Sequence, residues 1–499
     1  MRVALLLVAG LLLAGCVTPS NEIPAGVLEG AAPLLSAFDA TGAPLPIPAL
    51  LERGLGVATS LVGHRGAEPN VGITSSGAVF MTASHNTLRS RDMGATWEVV
   101  FNLSEALPQY ECPVSVPVPL VGCPRLTRSS DPMLWVDTET DRVFTNHMTG
   151  LYCSNMILSD DEGESWTMKP MTCGTLVNDH QKVATGRGYG PRWPGAESPV
   201  YPNPVYYCYN KLVSTRCAVS FDGGLNFPVE SHVAGIPNEP CGGINGHPAP
   251  HPDGTMFVPL NLGCPATAVG VSEDSGLTWT FKMAPWEDIG AEEIDPEITV
   301  TPDGTAYMLW RGSDHLQYLA RSTDKFGTWE GPWRVSPAGV TSTVFAGLTS
   351  GDDGRLAFAF LGTRDTSAYP SDAPADARWH LFVGVSLDAA SANPTFVVEQ
   401  VTRDEDPVQI GCVWLEGGSE PCRNMLDFID MHAAPDGRFY VAYTEGCVAA
   451  NQHPGGAEHT GETDCAFNPS ATDQESRGRH AAIAVGPPLL RAASAEASA

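Results

Sequence analysis

Six short stretches carry carboxyl and imidazole groups at corresponding points of the chain, just ahead of β-rich runs. They read "AEPNVGI" with Glu68, "SDPMLWV" with Asp131, "NDHQKVA" with Asp179 and His180, "INGHPAP" with Asn245 and His247, "IDPEITV" with Asp295 and Glu297, and "DFIDMHA" with Asp427 and Asp430. Two carboxyls flanking a sugar would serve as acid and base, or as acid and nucleophile. Several together would bind Ca²⁺ through oxygen, which makes Ca²⁺ the one cofactor this pattern accommodates. Glu68, Asp131 and Asp295 are the candidates for catalytic carboxyls. Asp179, His180, His247, Glu297, Asp427 and Asp430 are candidates for ligand contacts, with Arg65 and Arg311 as nearby cations. A structural reading competes at each position, because an acid before proline at the start of a strand also makes a turn bonded to its neighbour. No metal centre is assigned, since no cysteine pair has the close spacing of zinc sites.

What must position these groups is a repeat. "HPDGTMF" at His251, "TPDGTAY" at Thr301, "GDDGRLA" at Gly351 and "APDGRFY" at Ala434 each set Asp-Gly or its equivalent between apolar, β-rich runs, a hairpin signal. A second phrase recurs as "SRDMGATW" at Ser90, "SDDEGESW" at Ser159 and "SEDSGLTW" at Ser272. The stretch from Glu297 to Trp329 shows the full order: strand, Asp-Gly turn, strand, loop, strand, Ser-x-Asp phrase, final strand. That is a four-stranded antiparallel meander of about 45 to 60 residues, the size of a propeller blade. Units fall near 64–115, 128–178, 179–237, 242–287, 293–338, 343–402 and 426–486. Helical periodicity is almost wholly missing, so the chain reads as all-β. The expected fold is a single β-propeller over 56–486 with seven four-stranded blades, six being the alternative count. The last unit lacks a fourth strand, and the strand-like stretch from Gly56 to His64 is expected to supply it and close the ring. In such a ring the loops leading into the innermost strands surround the axis, so the candidate groups would converge there.

The aspartates of the second phrase have a mechanical reading. A short carboxylate accepts from amides of its own turn, glycine supplies the unusual backbone angle and the hydroxyl caps the turn. Asp92, Asp161, Asp222, Asp274 and Asp324 are therefore read as fold staples. The phrase resembles the Asp-box, or BNR repeat, of sialidases and related propellers. Copies at Ser90, Ser159 and Ser272, with looser ones at Ser220 and Ser322, carry the resemblance over most of the chain. It implies turns on the outer rim, away from an active face. The family's sialic acid hydrolysis would further imply three arginines gripping the sugar carboxylate, a tyrosine–glutamate nucleophile pair and an aspartic acid. Where family sialidases carry Arg-Ile-Pro, this chain reads Ala67-Glu68-Pro69, with Arg65 displaced upstream. The resemblance thus stops short of sialidase activity and leaves a remote glycosidase open.

The address comes from the start of the chain. "MRVALLLVAGLLLAGC" reads as an export signal over 1–15, its apolar run being too short to span a membrane. Leu13-Ala14-Gly15-Cys16 resembles the lipobox of prokaryotic lipoproteins, which implies cleavage before Cys16 and lipidation of its thiol. Of 13 cysteines, Cys16 is then assigned to lipid and an even dozen remains, in sequence-neighbour pairs expected to form disulfides. The Ala- and Pro-rich stretch 16–55 is read as a flexible spacer and 487–499 as a frayed tail. A formal net charge of −29 argues against nucleic acid and anionic lipid as partners. The functional expectation is an extracytoplasmic, lipid-anchored propeller of the cell envelope that binds a glycan or an exported protein at its axial face. A glycoside hydrolase using central carboxylates is the alternative, and an assembly or scaffold factor the second.

Overall fold

The structure, a computed structural model, describes residues 34–48, 54–65, 68–83, 85–106, 130–149, 153–171, 178–188, 201–239, 241–292, 295–404, 407–416, 422–423, 425–446, 477–483 and 489. Among the described residues seven antiparallel sheets form, six of them four-stranded, and five follow chain order from an innermost strand outward, the other two taking an outer strand from the start of the chain. The innermost strands are Val71–Ile73, Ser130–Val136, Asp179–Thr185, Ala249–Pro250, Glu297–Val300, Ser342–Ser350 and Asp430–Ala433. Each touches the next in this order, and the last touches the first. The chain is a single β-propeller, and its sheets are called blades one to seven below. Between blades lie apolar seams, such as the one joining Phe144, Val183, Val205 and Tyr207.

Closure occurs as the missing strand requires. Val57–Arg65 pairs antiparallel with Arg477–Ile483, in register from Val57 opposite Ile483, and becomes the outermost strand of blade seven.

Part of the stretch read as a spacer is also strand. Leu34–Asp39 pairs with Thr395–Gln400 and adds an edge to blade six. Leu55 is fully buried, and its N–H donates to Glu399 Oε2 at 2.6 Å. The reason lies in blade six, whose outer strand Thr-Phe-Val-Val-Glu-Gln would otherwise leave apolar side chains and a ladder edge open. Leu489, within the expected tail, is likewise buried. Its N–H donates to Gly437 O, and its carbonyl accepts from Asp352 N at 2.9 Å.

The Ser-x-Asp phrases form the hairpins between third and fourth strands. In the first, Asp92 Oδ1 accepts from Ser90 Oγ at 2.8 Å and Thr96 N at 2.8 Å, and Oδ2 accepts from Thr96 Oγ1 at 2.6 Å. Ser90 Oγ in turn accepts from Gly94 N. Asp161, Asp222, Asp274 and Asp324 repeat the arrangement. Gly94 sits at φ 86°, where a Cβ is unwelcome. In the fifth copy the glycine is displaced, and Phe326 takes that place at φ 59°. Trp166 and Trp279 reach back to the preceding blade, their Nε1–H groups donating to Val100 O at 2.9 Å and Ser231 Oγ at 2.8 Å. The phrase holds a corner and staples two sheets.

Among the described residues three local disulfides are present, Cys208–Cys217, Cys241–Cys264 and Cys412–Cys422. The other expected pairs, Cys112–Cys123, Cys153–Cys173 and Cys447–Cys465, lie wholly or partly outside the described residues, as do 1–33 with Cys16. Among the described residues no helix is long and apolar enough to cross a membrane.

Candidate functional site

The lead-ins to the innermost strands do converge on the axis, and their backbone is unusual. Glu68, Asp131 and His180 occupy corresponding places in blades one, two and three, with φ of 52°, 48° and 51°. Left-handed backbone at a non-glycine residue costs about 1–3 kcal/mol, and such residues cluster at functional sites. Register shifts between Ser130 and Met133 and between Asp179 and Lys182 mark bulges, which re-aim side chains.

Two groups of side chains result. The first is acidic: Glu68, Asp131, Asp179 and Asp427. Glu68 is 1% exposed, and among the described residues neither carboxyl oxygen receives a hydrogen bond. Burial, then the charges of Asp131 and Asp427, push its carboxyl well above the ordinary glutamate range. Burial and Asp131 likewise push Asp179 up to about 6. Asp427 is raised chiefly by burial, although Arg423 donates to its Oδ2 at 2.6 Å. Asp131 also does structural work, its Oδ2 accepting from His180 N at 2.8 Å across the seam between blades two and three.

The second group is mixed in charge and deeper. Asp295 Oδ1 meets His180 Nε2 at 2.5 Å, and Oδ2 lies 3.0 Å from Lys182 Nζ. Burial disfavours the Asp295 carboxylate, but His180 and Lys182 override it and hold the group well below the aspartate range. Burial also opposes a charged His180, and Asp295 outweighs it, so the imidazole sits above its ordinary value. Lys182, itself fully buried, stands 3.3 Å from the centroid of the Phe428 ring, a cation–π contact. Phe428 also receives His180 and His247 edge-on, with ring centroids 5.8 and 5.9 Å away. It plugs the hub.

A second imidazole pair lies beside it. His247 Nε2 faces Asn70 Oδ1 at 3.1 Å, and His247 Nδ1 faces Glu297 Oε1 at 2.8 Å. The Asn70 amide nitrogen donates to the carbonyls of Glu68 and Pro132, so its oxygen must accept and Nε2 of His247 must carry the proton. Burial and the Lys182 charge lower His247 to about 4, while burial and Asp295 raise Glu297. With Nε2 carrying the proton, Nδ1 of the neutral imidazole is the acceptor that faces Glu297. Asp430 is engaged by backbone, accepting from Val71 N at 2.9 Å across the blade seven to blade one seam.

Arg311 stands apart from the carboxyls. It donates to Thr343 O at 3.0 Å and pairs with Glu292, sharing only a small cavity with Asp295, Gln317 and Leu415. Arg65 ends the closing strand, and its side chain lies outside the described residues. Sequence reasoning missed Asn70, Lys182, Arg423 and Phe428. Among the described residues no three His, Cys, Asp or Glu side chains are arranged to hold a metal ion.

No family model matches the chain, and no curated protein matches it in sequence. Solved structures resemble it distantly. A protein of unknown function from Dyadobacter fermentans is 12% identical with a TM-score of 0.39, over 86% of this chain and 99% of that one. A leech intramolecular trans-sialidase is 15% identical with a TM-score of 0.37, over 79% and 68%. The Aleuria aurantia lectin is 11% identical with a TM-score of 0.38, over 65% and 93%. At that distance the chemistry of the hub rests on its own residues.

Proposed function

We propose that this chain is an extracytoplasmic propeller, tethered to the membrane through lipid on Cys16, that binds a glycan or an exported protein at its axial face without turning it over. The observation that carries the reading is the seat of Phe428. With that ring against Lys182, His180 and His247, Asp295 and Glu297 are committed to internal pairs and unreachable by substrate. What remains toward the mouth is the acidic group with Asp131, Asp179 and Asp427, which suits a ligand rich in hydroxyl or cationic donors. The leader sequence and the local disulfides support the extracytoplasmic address. Titration of the mature chain with a glycan panel and with exported-protein fractions tests the reading. Binding that Asp179→Asn weakens, with no hydrolysis, is the expected result.

One observation favours the hydrolase alternative. Burial and the neighbouring carboxylates raise the Glu68 carboxyl beside Asp131, and carboxyls whose environments push them apart are how acid and base roles are divided. Hydrolysis of any panel member, abolished by Glu68→Gln, would replace the binding reading with this one.

A further inference from the structure

The innermost strands have a second set of ends. Asp179 begins and Thr185 ends the same strand, so the two mouths of the hub lie roughly 20 Å apart. At the mouth formed by the first hairpins of blades two to six there is a cleft of about 430 Å³. We propose that it is a separate binding site for a neutral saccharide of one or two residues.

The walls make the case. Trp135, Pro250, Pro252, Val300 and Pro302 contribute an apolar part to a lining that is otherwise mostly polar. Trp135 is half-buried, and its Nε1–H donates to Thr185 Oγ1 at 2.8 Å, which fixes the indole across the seam between blades two and three. Gly186 allows the close approach behind it, since a Cβ there would lie 2.6 Å from Pro250 Cβ. That apolar part matches the C–H faces of a pyranose ring, which pack on aromatic and prolyl surfaces while hydroxyls point outward.

Two charged groups on the cleft wall are open to those hydroxyls. Arg187 is exposed, and among the described residues its guanidinium makes no ion pair or hydrogen bond. Glu139 is exposed, with one oxygen accepting from Asn203 Nδ2 at 3.2 Å and the other open. Asp137 is engaged, held by Tyr201 Oη at 2.6 Å and by Asn203. An anionic ligand would meet Glu139 and Asp137, and a cationic one would meet Arg187. A neutral ligand that both donates and accepts satisfies the pair, and a cleft of this size buries a ligand of that bulk.

The test uses the mature chain labelled with 5-fluorotryptophan, the Trp135 resonance being assigned by its loss in Trp135→Phe. Glucose, galactose, mannose, N-acetylglucosamine and their disaccharides are titrated in turn. At least one should shift the Trp135 signal saturably, and Arg187→Ala and Glu139→Ala should each weaken that binding about tenfold. Asp179→Asn, at the opposite mouth, should leave the shift unchanged. A Trp135 signal unmoved by every sugar, or shifted equally in Arg187→Ala, overturns the inference. Loss of the shift in Asp179→Asn instead places the sugar at the other mouth, overturning this inference and leaving the proposed function standing.

Discussion

Replacing Asp295 by asparagine keeps the shape of the hub and removes the carboxylate that pairs with both His180 and Lys182. Lys182 Nζ lies 3.0 Å from Asp295 Oδ2, an attraction of about 5–6 kcal/mol at an effective dielectric of roughly 20, before desolvation is counted. Because desolvation offsets most of that gain, the informative quantity is the loss on breaking the pair, about 3–5 kcal/mol for Asp295→Asn. Lys182→Met should cost less, roughly 1–3 kcal/mol, since Asp295 keeps His180 and the thioether can lie on Phe428. The double variant carries no stranded ammonium, so its loss should fall short of the sum of the singles by at least about 1 kcal/mol. Urea unfolding of the four proteins measures this. Additivity within about 0.5 kcal/mol would refute the pairing.

The pH dependence adds a second check. Asp295 lies below its ordinary value, so its contribution is present above the unfolded aspartate range and is lost as pH falls through the folded value. His180 lies above its ordinary 6.5, so its contribution is present below that value and is lost as pH rises through the raised one. The advantage of wild type over Asp295→Asn should therefore peak between these limits and shrink on both sides.

Other outcomes follow from single residues. Asp222 accepts from Ser220 Oγ and from both nitrogens of Asn226; Asp222→Ala should lower stability by about 1–2 kcal/mol and leave ligand titrations unchanged, whereas loss of binding in a folded variant would contradict a purely mechanical corner. Asp179 titrates at about 6, so binding to the acidic mouth should strengthen as pH rises through that value in wild type and stay flat in Asp179→Asn. Leu489 is fully buried, so Leu489→Ala should cost about 2–4 kcal/mol by thermal or urea unfolding, an effect that a frayed tail would not give.

The corners were legible in the sequence because they are local. Ser90, Asp92, Gly94 and Thr96 complete one hydrogen-bonded turn within a few residues, so residue type and spacing suffice. The closing strand was legible for a different reason: blade seven lacked a partner, and Gly56–His64 had the pattern to supply it. The hub resisted. The lead-in positions of Glu68, Asp131, His180, His247 and Asp295 could be counted from the hairpins, but their pairing could not. Asp295 meets a histidine 115 positions away, and His247 meets an asparagine 177 away. Phe428 lies within the lead-in between Asp427 and Asp430, but an apolar residue there reads as ordinary core, and nothing local shows that its ring meets Lys182, His180 and His247. The strand at Leu34–Asp39 was hidden because its reason for forming lies in blade six, not in its own composition.

The strand shared by the two ends of the wheel has a consequence for biogenesis. Residues 57–65 are synthesised early, yet their partner is 477–483, so the ladder they offer stays bare until nearly the whole chain has emerged. Until then the nascent protein carries an unsatisfied edge, and the hazard is mispairing with another copy. Any truncation that removes 477–483 would leave that edge open permanently.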